Sequence, residues 1–84
     1  METIEIIGMI AATLTTSAFV PQVYKTFKER SAKDISLTMY LVFLTGTLLW
    51  LSYGLHHDSL PIVLANAVTA LLIILMIWMK LRFR

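Results

Sequence analysis

The twenty residues from Leu60 to Met79, LPIVLANAVTALLIILMIWM, contain no Asp, Glu, Lys, Arg or His. A helix rising 1.5 Å per residue needs about that length to cross a hydrocarbon core ~30 Å thick. Working back along the chain, the same reading applies twice more: no charge falls between Glu5 and Lys25, and none from Ile35 to Leu55. Three windows of spanning length therefore fill most of the 84 residues. Charged residues make up only 14% of the chain, against about 25% in an ordinary globular domain. A soluble chain this short would also bury too little of its own surface to be more than marginal. The expected fold is an all-α membrane protein, a single triple-helix bundle over residues 1–84 with spans at roughly 4–27, 35–56 and 60–80.

The seven basic residues fall on two segments, Lys25, Lys28, Arg30 and Lys33 after the first window and Lys80, Arg82 and Arg84 after the third. The N-terminus and the turn His56-His57-Asp58-Ser59 carry no Lys or Arg. The positive-inside rule then predicts a cytoplasmic C-terminus and first loop, with the N-terminus and second turn outside. The basic segments are short and flanked by spans, which argues against nucleic acid as a partner. The chain begins Met1-Glu2-Thr3-Ile4-Glu5, acidic where a secretory leader is basic, so a cleaved leader is not expected. Cysteine is absent, which removes disulfides and thiol chemistry.

Within the first window, Pro21 lacks the N–H that would bond the Ser17 carbonyl, and its ring presses on that carbonyl. A bend is expected near Pro21, with the freed carbonyl served by Thr13, Thr15, Thr16, Ser17 or the Gln22 amide. The proline alone leaves open whether the bend is static or a hinge. In the second window Met39, Phe43, Gly46, Trp50, Tyr53 and His57 follow at steps of 4, 3, 4, 3 and 4, on one helical face. The opposite face is aliphatic and includes Leu41, Leu44, Leu48, Leu51 and Leu55. The aromatic stripe either packs on neighbouring helices, with Gly46 allowing close approach, or lines a path. Asn66, inside the third window, must face protein or trapped water, because an unpaired amide in lipid costs several kcal/mol. It serves either as glue between helices or as a polar group on a substrate path. Trp78 is expected to anchor at the interface.

Three helices cannot enclose a polar route alone, so transport requires two copies, and identical charge placement makes them parallel about an axis along the membrane normal. That arrangement surrounds one uncharged chamber with two Trp50 stripes and two Asn66 amides. An indole face with an amide suits a small neutral sugar, which has C–H faces and a rim of hydroxyls. No ionisable group for proton or voltage coupling lies within the windows, and no glycine loop for nucleotide phosphates is present. No nucleophile sits beside a base with an orienting acid, and His56, His57 and Asp58 are too few for a metal site. The expectation is a passive facilitator, not an enzyme, without cofactor or metal. Its main rival is a non-transporting structural or signalling subunit of a larger membrane complex. A multidrug-type exporter would need a membrane carboxylate that these windows lack.

Several segments carry a family likeness: Leu14-Thr15-Thr16-Ser17-Ala18-Phe19-Val20-Pro21-Gln22, then Asp34-Ile35-Ser36 with Met39-Tyr40, then Gly46, Trp50 and Tyr53-Gly54. The third window adds Leu60-Pro61-Ile62, Leu64-Ala65-Asn66 and Val68-Thr69. In this order and over nearly the whole chain, the sequence resembles the SemiSWEET sugar transporters, bacterial members of the PQ-loop superfamily. The resemblance implies a parallel homodimer in the cell (inner) membrane, with helix order 1-3-2 in each bundle, that moves small mono- or disaccharides by alternating access. It implies that Trp50 and Asn66 bind the sugar and that Pro21 and Gln22 form a hinge. It implies an outer gate at Tyr53, His57 and Asp58 and an inner gate at Met39 and Phe43. Relatives often carry an Arg–Asp pair where this chain has His57 and Ser59, so that latch cannot form here. A histidine changes charge near neutrality, so closure of the outer gate is expected to depend on pH.

Overall fold

The computed structural model describes residues 2–84. Helix α1 covers Thr3–Ser17, α2 Val20–Glu29, α3 Leu37–His56 and α4 Leu60–Phe83. The first two together make one apolar span, Thr3–Glu29, so three stretches are long and apolar enough to cross a membrane. The long dimension of the molecule, 43 Å, matches a bilayer with its headgroup regions, about 40–45 Å. The chain is thus all-helical, with three membrane-spanning segments.

The spans depart from the sequence reading at identifiable caps. The second was expected from Ile35, yet α3 begins at Leu37 because Ser36 caps it: its hydroxyl accepts from the Met39 N–H at 3.1 Å. Ile35 instead belongs to the preceding turn, its N–H bonded to the Ala32 carbonyl. At the other end of α3, Asp58 takes a left-handed conformation (φ 52°). The Ser59 N–H reaches back to the Gly54 carbonyl at 2.9 Å, and the Asp58 N–H to Leu55 at 3.4 Å. This is a Schellman closure, with aspartate in the place glycine usually takes. Pro61 then sits in the first turn of α4, where a missing N–H is harmless.

The bend in the first span is a break slightly upstream of Pro21. Ala18 and Phe19 keep right-handed angles, but the Phe19 N–H bonds Thr16 at 3.1 Å, a tightened three-residue step. The donors expected to serve the Ser17 carbonyl do not do so. Thr13 donates to Met9 at 2.8 Å and Thr15 to Ala11 at 3.0 Å, because a helical threonine hydroxyl reaches the carbonyls behind it, not those ahead. Thr16 meets the Thr69 hydroxyl at 3.2 Å. Gln22 points its carbonyl at α3 and accepts the hydroxyl of Tyr40.

Helix α4 lies between the other two spans. It packs along α3 and along both halves of the first span, and among the described residues no Cα of α3 comes within 8 Å of α1 or α2. The helix order is 1-3-2. Side chains bridge the gap at the end that carries the α2–α3 loop. There Val23, Tyr40, Ile73, Met76 and Met79 form the buried core. Lys80, at the end of α4, donates to the Ala32 carbonyl at 2.9 Å and ties the loop down. Towards the other end α1 buries no residue at all. The aliphatic side of α3 divides: Leu44 and Leu51 are half-buried, whereas Leu41, Leu48 and Leu55 are exposed, as suits lipid.

Candidate functional site

Trp50 from the middle of α3 and Asn66 from the second turn of α4 line the same open cleft, of about 390 Å³. Gly8 and Ala12 of α1 complete its far wall, and Pro61 and Ala65 its back. Gly8 lets α1 lie close to α4 at this wall, since a Cβ there would stand 3.3 Å from Pro61. No residue lining the cleft is charged. Trp50 is 55% exposed in the single bundle. The Asn66 amide nitrogen donates to the Ile62 carbonyl at 2.9 Å, while its side-chain oxygen takes no hydrogen bond among the described residues. A half-buried amide oxygen beside an exposed indole can accept a hydroxyl while the ring covers a C–H face.

The stripe on α3 forms a ladder of rings above and below this cleft. Towards the turn, Tyr53 meets Trp50 edge-on at 5.4 Å and His57 at 4.4 Å between ring centroids. His57 is the last residue of the α3 ladder, and Asp58 is occupied in the backbone turn. Towards the loop, Phe43 packs edge-on against Phe19 at 5.8 Å, and Phe19 also meets Tyr40 at 5.8 Å. Met39, in the first turn of α3, is half-exposed. Residues expected at the inner gate and those expected at the outer gate thus lie at opposite ends of one exposed face, with Trp50 between them. Pro21 and Gln22 sit in the first turn of α2, just past the break in the first span.

Residues 3–63 match the PQ loop repeat. A "Sugar transporter SemiSWEET" of Bradyrhizobium diazoefficiens is 51% identical over 80 residues, covering 95% of this chain and 93% of that protein. The chain belongs to the SemiSWEET branch of the PQ-loop family. Solved structures agree with this placement. A bacterial homologue of SWEET transporters superposes with a TM-score of 0.94 at 41% identity, covering 99% of this chain and all of that one. A SemiSWEET in the inward-open conformation superposes with a TM-score of 0.89 at 39% identity, over 98% of this chain and 88% of that one.

Some features of this SemiSWEET escaped the sequence. The Tyr40–Gln22 hydrogen bond joins the helix that carries the PQ pair to α3. Only the burial of a polar aromatic could have pointed to it: Tyr40 is 1% exposed, and a tyrosine that deep in a membrane helix demands a partner. Phe19, which packs against both Tyr40 and Phe43, stands in the stretch that carries the family likeness, but nothing there discloses these partners. The Thr16–Thr69 pair joins two helices whose register no local pattern discloses.

Proposed function

We propose that two parallel copies of this chain enclose a wet, uncharged chamber and pass small neutral mono- or disaccharides through it by alternating access, as a passive uniporter. Trp50 and Asn66 of each copy hold the sugar. Pro21 and Gln22 let the first span bend, supported by the break at Ala18–Phe19. Tyr53, His57 and Asp58 close the outside, and Met39 and Phe43 close the inside. The protein sits in the cell (inner) membrane with its N-terminus outside and its C-terminus cytoplasmic. It carries out no chemical conversion and needs no cofactor.

The observation that carries this reading is the shared cleft. An indole and an amide from different helices meet in an opening without charge, on the one face of α3 where large aromatics stay exposed. A single bundle leaves that face uncovered, and a second copy with the same charge pattern covers it only in parallel. The relatives named as sugar transporters agree with the class of cargo. A structural subunit packed in a larger complex would instead fill the cleft with another protein's side chains.

Counter-flow of labelled mono- and disaccharides into proteoliposomes tests the proposal. The wild-type protein should exchange sugar without any ion gradient. Trp50→Ala and Asn66→Ala should each abolish exchange while crosslinking still reports dimers. Normal exchange in both variants would sink the binding assignment.

A further inference from the structure

The chain has two histidines, His56 and His57, side by side, and no cysteine. Both are exposed where α3 ends and the turn into α4 begins. Ring contacts hold them. The His57 ring lies 4.4 Å from that of Tyr53, and the His56 ring stands 5.1 Å from His57 at 85° to it. Two imidazoles on one tetrahedral ion have ring centres about 5 Å apart, given metal–nitrogen bonds of ~2.0–2.1 Å. The pair is spaced as two ligands of one ion are.

The surroundings favour a cation. Asp58 follows directly, and Glu2 and Glu5 begin the chain at the same end, where Gly8 of α1 lies against Pro61 of α4. All seven Lys and Arg residues belong to the opposite end. One bundle nevertheless leaves a site incomplete: among the described residues no group of three His, Cys, Asp or Glu converges, and zinc takes three or four protein ligands. The proposed pair supplies the remainder. His57 is the last member of the stripe that carries Trp50 and Tyr53, the face that a second copy covers. In a two-fold pair a group near the axis meets its own counterpart. Closing the outside therefore brings two His57 rings, each with its His56, towards one point.

Resting on the parallel pair proposed above, we infer that the outer mouth is a binding site for a divalent transition metal ion of the zinc type, held by His56 and His57 of both copies and complete only when the outside is closed. Such an ion binds the closed state alone, so it shifts the population towards that state and stops exchange. It is an inhibitor and not a cofactor. Imidazole nitrogens select zinc over magnesium, which takes oxygen ligands.

The test uses the full chain without any affinity tag, so that these are its only histidines. Zinc chloride is titrated calorimetrically into the detergent-solubilised dimer, and sugar counter-flow is measured in proteoliposomes with zinc on both faces. Zinc should bind at one ion per two chains. At about ten times its Kd it should lower exchange about tenfold, as mass action gives, and a chelator should restore the rate. Magnesium at the same concentration should do neither. His56→Gln and His57→Gln, each compared with its own zinc-free rate, should lose zinc sensitivity and bind zinc at least tenfold more weakly. Absence of zinc binding, or one ion per chain, overturns the inference. So does full exchange with zinc bound, equal inhibition by magnesium, or undiminished zinc sensitivity in His57→Gln. A wild type that moves no sugar even without zinc defeats the transport reading, a separate result. The titration then decides the shared site alone: one ion per two chains upholds it, and any other ratio overturns it.

Discussion

The two ends of this bundle are built differently. At the end with the α2–α3 loop, Ile73, Met76 and Met79 are fully buried and Tyr40 nearly so. A hydrogen bond from Tyr40 to Gln22 and another from Lys80 to Ala32 lock α2, the loop, α3 and α4 together. At the other end α1 buries nothing, and the cleft under Trp50 separates it from α3. There Gly54 and Pro61 are buried at the α3–α4 turn, and Gly8 of α1 lies close against Pro61. The same three spans thus hold a cohesive half and an unfinished one. Without a hydrophobic force between helices in lipid, packing and hydrogen bonds carry association. The half with more of both is the more cohesive, and the looser half leaves its cleft open.

Four substitutions and one control at Leu14 test that contrast, the four taken from the largest expected effect to the smallest. Met76→Ala should cost about 2–5 kcal/mol, since it opens a cavity where nothing can collapse from lipid; reversible unfolding in mixed micelles measures it. An equivalent truncation at Leu14, which is 65% exposed on α1, should cost far less, and equal losses would break the comparison. Gly54→Ala forces a methyl against Ile62 and should cost ~1–3 kcal/mol by overpacking, showing that the α3–α4 turn is tightly packed even at the looser end. Tyr40→Phe removes the donor to Gln22 and should cost about 1 kcal/mol; if the bond also restrains the bend, the rate of sugar exchange changes with it. Thr69→Val deletes the Thr16 contact for about 0.6 kcal/mol, a typical value for such bonds in membranes. A larger loss there would mean that α1 is held more firmly than its burial indicates.

Much of this architecture was legible from the chain alone, for local reasons. Charge-free windows mark spans because lipid excludes charge at any register, and the Met39–His57 stripe emerges from helical period without knowledge of partners. Charge placement and pairing put the Trp50 stripe and Asn66 around one chamber; that a single bundle already brings both into one cleft depends on the register of two helices, which no local pattern discloses. Other features depend on how far a side chain reaches across a gap. Gln22 looked like a donor for its own helix, yet it serves as an acceptor for Tyr40, because the bundle brings α3 within reach of its tip. The break at Ala18–Phe19 was displaced from Pro21 because the tightened bond forms before the missing one. The sequence leaves the Gly46 stripe open between packing and lining a path; within the bundle a Cβ at Gly46 meets nothing within 4 Å.

An odd number of crossings has a consequence for gene fusion. Residue Thr3 begins at one end of the bundle and Arg84 finishes at the other. Joining two copies head to tail by a short linker would turn the second one upside down, which the parallel pair proposed above does not allow. A single-chain version of the pair can keep both halves upright only if the connector itself traverses the bilayer once more.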